Sequence, residues 1–161
     1  MNQKLLDNIR SMNEAELYAA IYKDALTDAN NRRAFDQTNS YSTVAIVDMD
    51  SLKYLNDEYG HRTGDQYMIN LVDILRTHFG DENVYRLGGD EFAVTSYLSC
   101  EALNVKLTHI QRKVEFFTFG TGLYLAEADD KLNANKERRE KCGQRAARGE
   151  CPPWEIKNIC A

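Results

Sequence analysis

Two prolines, nine glycines and one tryptophan punctuate this 161-residue sequence, and no stretch of it reads as a low-complexity linker or an internal repeat. The length fits one ordinary domain, able to bury a single core but too short for a catalytic unit plus a separate sensor. No apolar run approaches the roughly 20 residues that span a bilayer. The opening Met1-Asn2-Gln3-Lys4-Leu5-Leu6-Asp7 lacks the apolar core of a signal peptide. The expectation is a cytoplasmic protein with no membrane contact. Nor is positive charge in surplus: twenty basic against twenty-five acidic residues leave a formal charge of −5, which argues against wholesale nucleic-acid binding. Cys100, Cys142, Cys151 and Cys160 lack the short spacing, about two to four residues, of structural zinc ligands. Reduced thiols are expected, with a metal site or disulfide in the tail as the alternative.

What the sequence does hold is concentrated in Arg86-Leu87-Gly88-Gly89-Asp90-Glu91-Phe92. A glycine pair is followed at once by two acids, and both flanks read as strands, so the acids sit at the tip of a hairpin. Glycines accept positive φ and let another molecule approach the backbone, while carboxylates on a tight turn can hold a hard cation against a phosphate. Taken alone this could be a connecting turn. About forty residues upstream, however, the apolar run Thr43-Val44-Ala45-Ile46-Val47 ends in Asp48-Met49-Asp50. An acid ending a buried strand beside an acidic hairpin points to a divalent-metal site.

These stretches resemble the catalytic domain of the GGDEF family, the diguanylate cyclases. Asp24-Ala25-Leu26-Thr27-Asp28-Ala29-Asn30-Asn31-Arg32-Arg33-Ala34-Phe35 is similar to the family's opening motif. The segment from Asp48 to Asp65, containing Asn56-Asp57-Glu58-Tyr59-Gly60-His61-Arg62-Thr63-Gly64-Asp65, is similar to its nucleotide-binding segment. Mixed strands and helices around a hairpin already suggest an α+β fold. The resemblance sharpens this to a palm-like, ferredoxin-related nucleotidyl cyclase fold, a mixed or antiparallel sheet flanked by helices.

The resemblance implies condensation of two GTP into cyclic di-GMP with release of pyrophosphate, in a homodimer because each domain presents one nucleotide. Two Mg²⁺ or Mn²⁺ ions per site, roughly 3.5–4 Å apart in such chemistry, would be held by Asp48, the backbone carbonyl of Met49, Asp90 and Glu91. Glu91 matches an acid that serves either as metal ligand or in deprotonating the attacking hydroxyl. Asp90 and Glu91 are thus the catalytic candidates. Guanine offers donors at N1 and its 2-amino group, which a carboxylate and an amide can meet. By resemblance these are Asp65 and Asn56, although either alone would also read as a helix cap. Gly88 and Gly89 would admit the nucleotide, and Lys53 and Lys136 would bind its phosphates. From Lys131 to Arg148 seven basic residues stand against two acids. This reads as a solvated helix face or a contact for an anionic partner, and the N-terminal helix offers a second route to a regulatory partner.

Departures from the family pattern accompany these matches. Glu140 stands where arginine is common four residues past the lysine, Asn135 replaces an alanine, Ser51 replaces phenylalanine or histidine, and Asp28-Ala29 replace Gly-Leu. Phe79 and Glu82 occupy the positions of an Arg-x-x-Asp product-inhibition site, which argues against feedback through it. A non-catalytic module binding GTP or cyclic di-GMP is the alternative reading, and a cyclase with another oligonucleotide product is a third.

The chain divides into a lead-in helix at 1–23, a segment at 24–148 that by resemblance is a GGDEF-like catalytic domain, and a cysteine-bearing tail at 149–161. Within it a loop enters a helix at 24–33, helices follow at 51–59 and 68–79, and hairpin arms at 84–87 and 92–96. A helix at 101–112, a strand at 114–119 and a final helix at 126–148 complete the reading.

Overall fold

The computed structural model describes residues 3–114 and 116–147. Its helices are α1 (Gln3–Ser11), α2 (Glu14–Tyr22), α3 (Arg32–Asp36), α4 (Leu52–Tyr59), α5 (His61–Phe79), α6 (Cys100–Val114) and α7 (Leu125–Ala147). The strands β1 (Asn30–Asn31), β2 (Thr43–Met49), β3 (Val84–Gly88), β4 (Glu91–Ser96) and β5 (Phe117–Gly122) form one sheet in the order β1-β3-β4-β2-β5. β1 runs parallel to β3 and the other neighbours are antiparallel, so the sheet is mixed. The succession β2-α5-β3-β4-α6-β5 is the split βαβ arrangement of ferredoxin-related folds. The expected α+β, palm-like architecture is the one observed.

β2 is buried along its whole length because both faces of the sheet are covered. Successive strand residues point to opposite faces. Ala45, Val47 and Met49 therefore join the core with Leu71 and Leu75 of α5 and Leu103 and Leu107 of α6. Val44 and Ile46 face the other way, toward Phe35 of α3 and Ala128 and Leu132 of α7. Asp48 continues that second series and so emerges on the α7 side.

Helix α7 lies close on β5 because Gly120 and Gly122 have no side chains to hold it off. A Cβ at Gly120 would come within 2.1 Å of the Ala128 carbonyl oxygen and 2.2 Å of the Leu132 nitrogen, and one at Gly122 within 2.7 Å of the Ala128 nitrogen. Asn135 fastens the same helix further along by donating to the Phe119 carbonyl at 2.8 Å. The asparagine that departs from the family pattern thus satisfies a carbonyl of β5, and the packing brings Lys136, next in sequence, over the end of β2.

Several elements differ from the sequence reading. The lead-in is two helices rather than one, because Asn13 starts a new helix: its side chain accepts from the Glu16 N–H at 2.9 Å while Glu16 accepts from the Asn13 N–H at 2.8 Å. This reciprocal cap favours a fresh N-terminus over continuation. The long helix begins at His61, before its buried series Met68, Leu71, Val72 and Leu75, so Asp65 lies inside α5 rather than capping it. The last strand runs 117–122 rather than 114–119 because α6 extends through Val114. Its link to α7 is Leu123-Tyr124 alone. Strand β1 lies in the segment expected to be a loop and forms by pairing parallel to the distant β3. The tail expected at 149–161 and the side chain of Cys142 lie outside the described residues; Cys100 is a free thiol. No helix among the described residues is long and apolar enough to cross a membrane.

Candidate active site

Asp48 and Glu91 are direct partners in the β2–β4 ladder, and the Met49 N–H donates to the Asp90 carbonyl at 3.2 Å. Residues opposed in this way project to the same face. The hairpin tip and the end of β2 are thereby held together. The turn requires its glycines: Gly88 has φ 152° and Gly89 φ 56°, and a Cβ at either would meet nothing within 4 Å. Backbone conformation demands glycine there, and the space above the turn is open to a ligand.

A cavity of about 490 Å³ opens at this end of the sheet, lined among others by Asp48, Met49, Asp90, Lys53, Lys136 and Glu140. That size suits a nucleotide-scale ligand, roughly 300–1,000 Å³. Lys136 reaches Asp48 Oδ2 at 2.7 Å, and the Asp48 side chain is only 8% exposed. Burial pushes the Asp48 carboxyl above its ordinary value, the Lys136 ammonium opposes that, and the charges of Asp90 and Glu91 add to it. A buried acid pressed by two further acids calls for a cation, and the lysine ammonium meets that call. Two carboxylates and a backbone carbonyl at the edge of a nucleotide-sized cavity fit Mg²⁺, which takes one or two protein carboxylates and completes its shell from phosphates and water. No group of three or more His, Cys, Asp or Glu side chains among the described residues forms a ready metal cage, so such a site would depend on its nucleotide.

The expected site residues fall into two groups. Asp48, Met49, Asp90, Lys53 and Lys136 share the cavity. Asn56 on α4 and Asp65 on α5 sit on the neighbouring helix pair, outside its lining. Gly64 lets these helices close: a Cβ there would fall 2.1 Å from Asn56 Oδ1. That oxygen is buried with no hydrogen-bond partner among the described residues, an acceptor awaiting a donor. Glu91 is exposed at the start of β4 and does not line the cavity.

Two features escaped the sequence reading. Ser51, at the cavity, has φ 59° without a side-chain cap, a left-handed conformation that turns the chain from β2 into α4. Arg86 donates to Asp24 Oδ1 at 2.9 Å and, through Nη2 and Nε, to the Gly89 carbonyl at 2.7 and 3.1 Å. An arginine two residues before the glycine pair was the available signal, but its partners lie too far along the chain to be paired by spacing.

At the position of the family's product-inhibition site, the Phe79 ring lies partly buried beneath the Lys106 ammonium, 4.5 Å from its centroid. A second cavity of about 380 Å³, between α2 and α3, is lined by Tyr18, Tyr22, Tyr85 and Glu82 and, among the described residues, by no lysine or arginine. It is therefore ill suited to phosphate.

The family model "Diguanylate cyclase, GGDEF domain" matches residues 21–120. The chain is 36% identical over 106 residues to diguanylate cyclase DgcP of Escherichia coli, covering 58% of this chain and 31% of that protein. It is 29% identical over 147 residues to diguanylate cyclase DgcS of Shewanella oneidensis, covering 80% of this chain and 49% of that one. It thus spans about a third to a half of these relatives' length. Among solved structures, diguanylate cyclase SiaD of Pseudomonas aeruginosa, in complex with its activator SiaC, superposes with a TM-score of 0.64 at 22% identity, over 83% of this chain and 65% of that one. A microbial GGDEF domain described with cyclic di-GMP gives 0.55 at 26% identity, over 73% and 92%. By the family match over most of its length, the chain belongs to the GGDEF domain family of diguanylate cyclases.

Proposed function

We propose that this chain condenses two GTP molecules into cyclic di-GMP and pyrophosphate, two copies each presenting one nucleotide. The observation that carries this reading is the convergence of Asp48 and Asp90 on a cavity that also holds Lys53 and Lys136, with a cationic group already drawn to Asp48. Mg²⁺ or Mn²⁺, two per site, would lower the pKa of the attacking 3′-hydroxyl and offset charge on the phosphates. Asp48, Asp90 and the Met49 carbonyl would hold those ions, with Glu91 across the ladder as a further ligand or as the group that assists deprotonation. Lys53 and Lys136 bind phosphate oxygens as point charges. Gly88 and Gly89 leave room for the nucleotide above the turn, and Asn56 and Asp65 read the guanine edge. The unsatisfied Asn56 oxygen supports that last assignment.

The test is incubation of purified protein with each nucleoside triphosphate and Mg²⁺ or Mn²⁺, products being identified by mass spectrometry. Cyclic di-GMP is expected from GTP alone, and its loss in Asp48→Ala and Asp90→Ala without unfolding. Neutralising Asp90 removes one of the charges that crowd Asp48, so the melting temperature of Asp90→Ala should equal or exceed the parent's. GTP bound without turnover by folded, dimeric protein would instead favour a non-catalytic binding module. Undiminished product from either variant would remove these acids from the mechanism.

A further inference from the structure

Three lysines of α7 have an acid four residues away, the spacing at which helix side chains meet. Lys131 closes on Glu127 at 2.8 Å and Lys141 on Glu137 at 3.3 Å. Lys136 differs: it reaches off the helix to Asp48, and its i+4 acid, Glu140, lines the cavity. Among the described residues the lining therefore carries four acids, Asp48, Asp50, Asp90 and Glu140, and two lysines, Lys53 and Lys136. The first three acids come from β2, its exit and the hairpin. Glu140 comes from the helix that also supplies one of these lysines, about 6 Å further along its axis.

We propose that Glu140 is a specificity-determining residue that sets how strongly the site holds the terminal phosphates of its nucleotide. The inference rests on the reading of the cavity as a nucleotide triphosphate site. With the reacting α-phosphorus near Asp48 and Asp90, a triphosphate tail running past Lys136 along α7 comes under the Glu140 carboxylate. A carboxylate there repels the β- and γ-phosphates and offers Lys136 a competing anion. The consequence is a site that binds triphosphate weakly and lets pyrophosphate go readily. Because the effect acts on the tail, it grows with the number of phosphates, which a general packing defect would not reproduce.

Isothermal titration of the full chain in Mg²⁺ tests this with a non-reacting GTP analogue carrying a methylene between the α- and β-phosphorus, and with GDP and GMP. Glu140→Gln should tighten the analogue about two- to five-fold, the scale of one exposed charge pair. Glu140→Arg should tighten it further. The gain should be smaller for GDP, absent for GMP, and should shrink as salt is raised. In turnover the same variants should lower KM more than they change kcat. Equal affinities for parent and variants, or an equal gain for GMP, overturns the role of Glu140 while leaving the nucleotide site standing. A parent that binds none of the three overturns both readings.

Discussion

Arg86 and Asp24, 62 residues apart in sequence, pair at 2.9 Å, and the same guanidinium holds the Gly89 carbonyl. Asp24 Oδ1 also accepts from the Thr27 N–H and hydroxyl at 2.9 and 2.8 Å. The chain leaving α2 is thus tied through one arginine to the turn that presents Asp90. Burial alone would raise the Asp24 carboxyl, but the bonds from Arg86 and Thr27 and the Arg86 charge outweigh it and hold the group below its ordinary value.

Removing this arginine should cost both stability and turnover. Arg86→Met strips charge-assisted bonds from Asp24 and leaves the Gly89 carbonyl without its donor, a loss of about 2–3 kcal/mol measurable by urea denaturation. The pH dependence has a definite sign. Because the folded-state pKa is depressed, the stabilisation is complete above the ordinary value of 3.8 and is lost as pH falls through the lower, folded-state value. The stability gap between parent and Asp24→Asn should be full near neutrality and close in acid. A gap that persists unchanged at about pH 3 would show that the carboxylate's charge contributes nothing.

Gly120→Ala should dislodge α7. The added methyl meets backbone atoms rather than a yielding side chain, so the helix must shift or the strand must bend, at about 1–3 kcal/mol. Lys136 rides on that helix, so the expected outcome is a lower denaturation midpoint together with reduced GTP binding. An unchanged midpoint would mean that α7 is free to slide on β5.

The parts of this fold that were legible in the sequence are those where one short segment carries its own signal. The β2 run ending at Asp48, the Gly88-Gly89 turn and the α5 spacing from Met68 to Phe79 each declare themselves locally. Boundaries were missed where the decisive contact is remote. The first turns of α5 carry no apolar period because Gly64 there serves to seat Asn56 rather than to fill the core. The limits of β5 depend on how α7 lies over Gly120. The site followed the same pattern: Asp48, Asp90, Lys53 and Lys136 could be named from motifs, whereas the Arg86–Asp24 link and the lining role of Glu140 required the chain to be folded.

Guanine selectivity should pass through Asp65. Loss of an acceptor that leaves a buried donor unpaired costs roughly 1–3 kcal/mol. Asp65→Ser should therefore reduce GTP use about ten-fold or more and relax the rejection of ATP, which presents an acceptor at N1 where guanine presents a donor. The measurement is kcat/KM for both nucleotides in parent and variant. An unaltered GTP-to-ATP ratio would remove Asp65 from base recognition.

Turnover should require two copies of the chain and should escape inhibition at the family's usual product site. One copy supplies one set of Asp48, Asp90, Lys53 and Lys136, so joining two nucleotides needs a second copy facing it, and a weak dimer makes the rate per chain rise with enzyme concentration. At the product-site positions Phe79 is partly buried under Lys106, and nearby Asp81 is engaged by Lys23 at 2.7 Å and Arg76 at 2.6 Å. Position 79 thus presents a ring where a guanidinium would be needed to grip a phosphodiester. Progress curves across enzyme dilutions, with and without added cyclic di-GMP, check both statements. A rate per chain independent of dilution in protein that stays monomeric during turnover defeats the dimer requirement. Strong non-competitive inhibition by the product that survives Glu82→Ala places a product site elsewhere on the surface, while inhibition abolished by that substitution restores the site at Phe79 and Glu82.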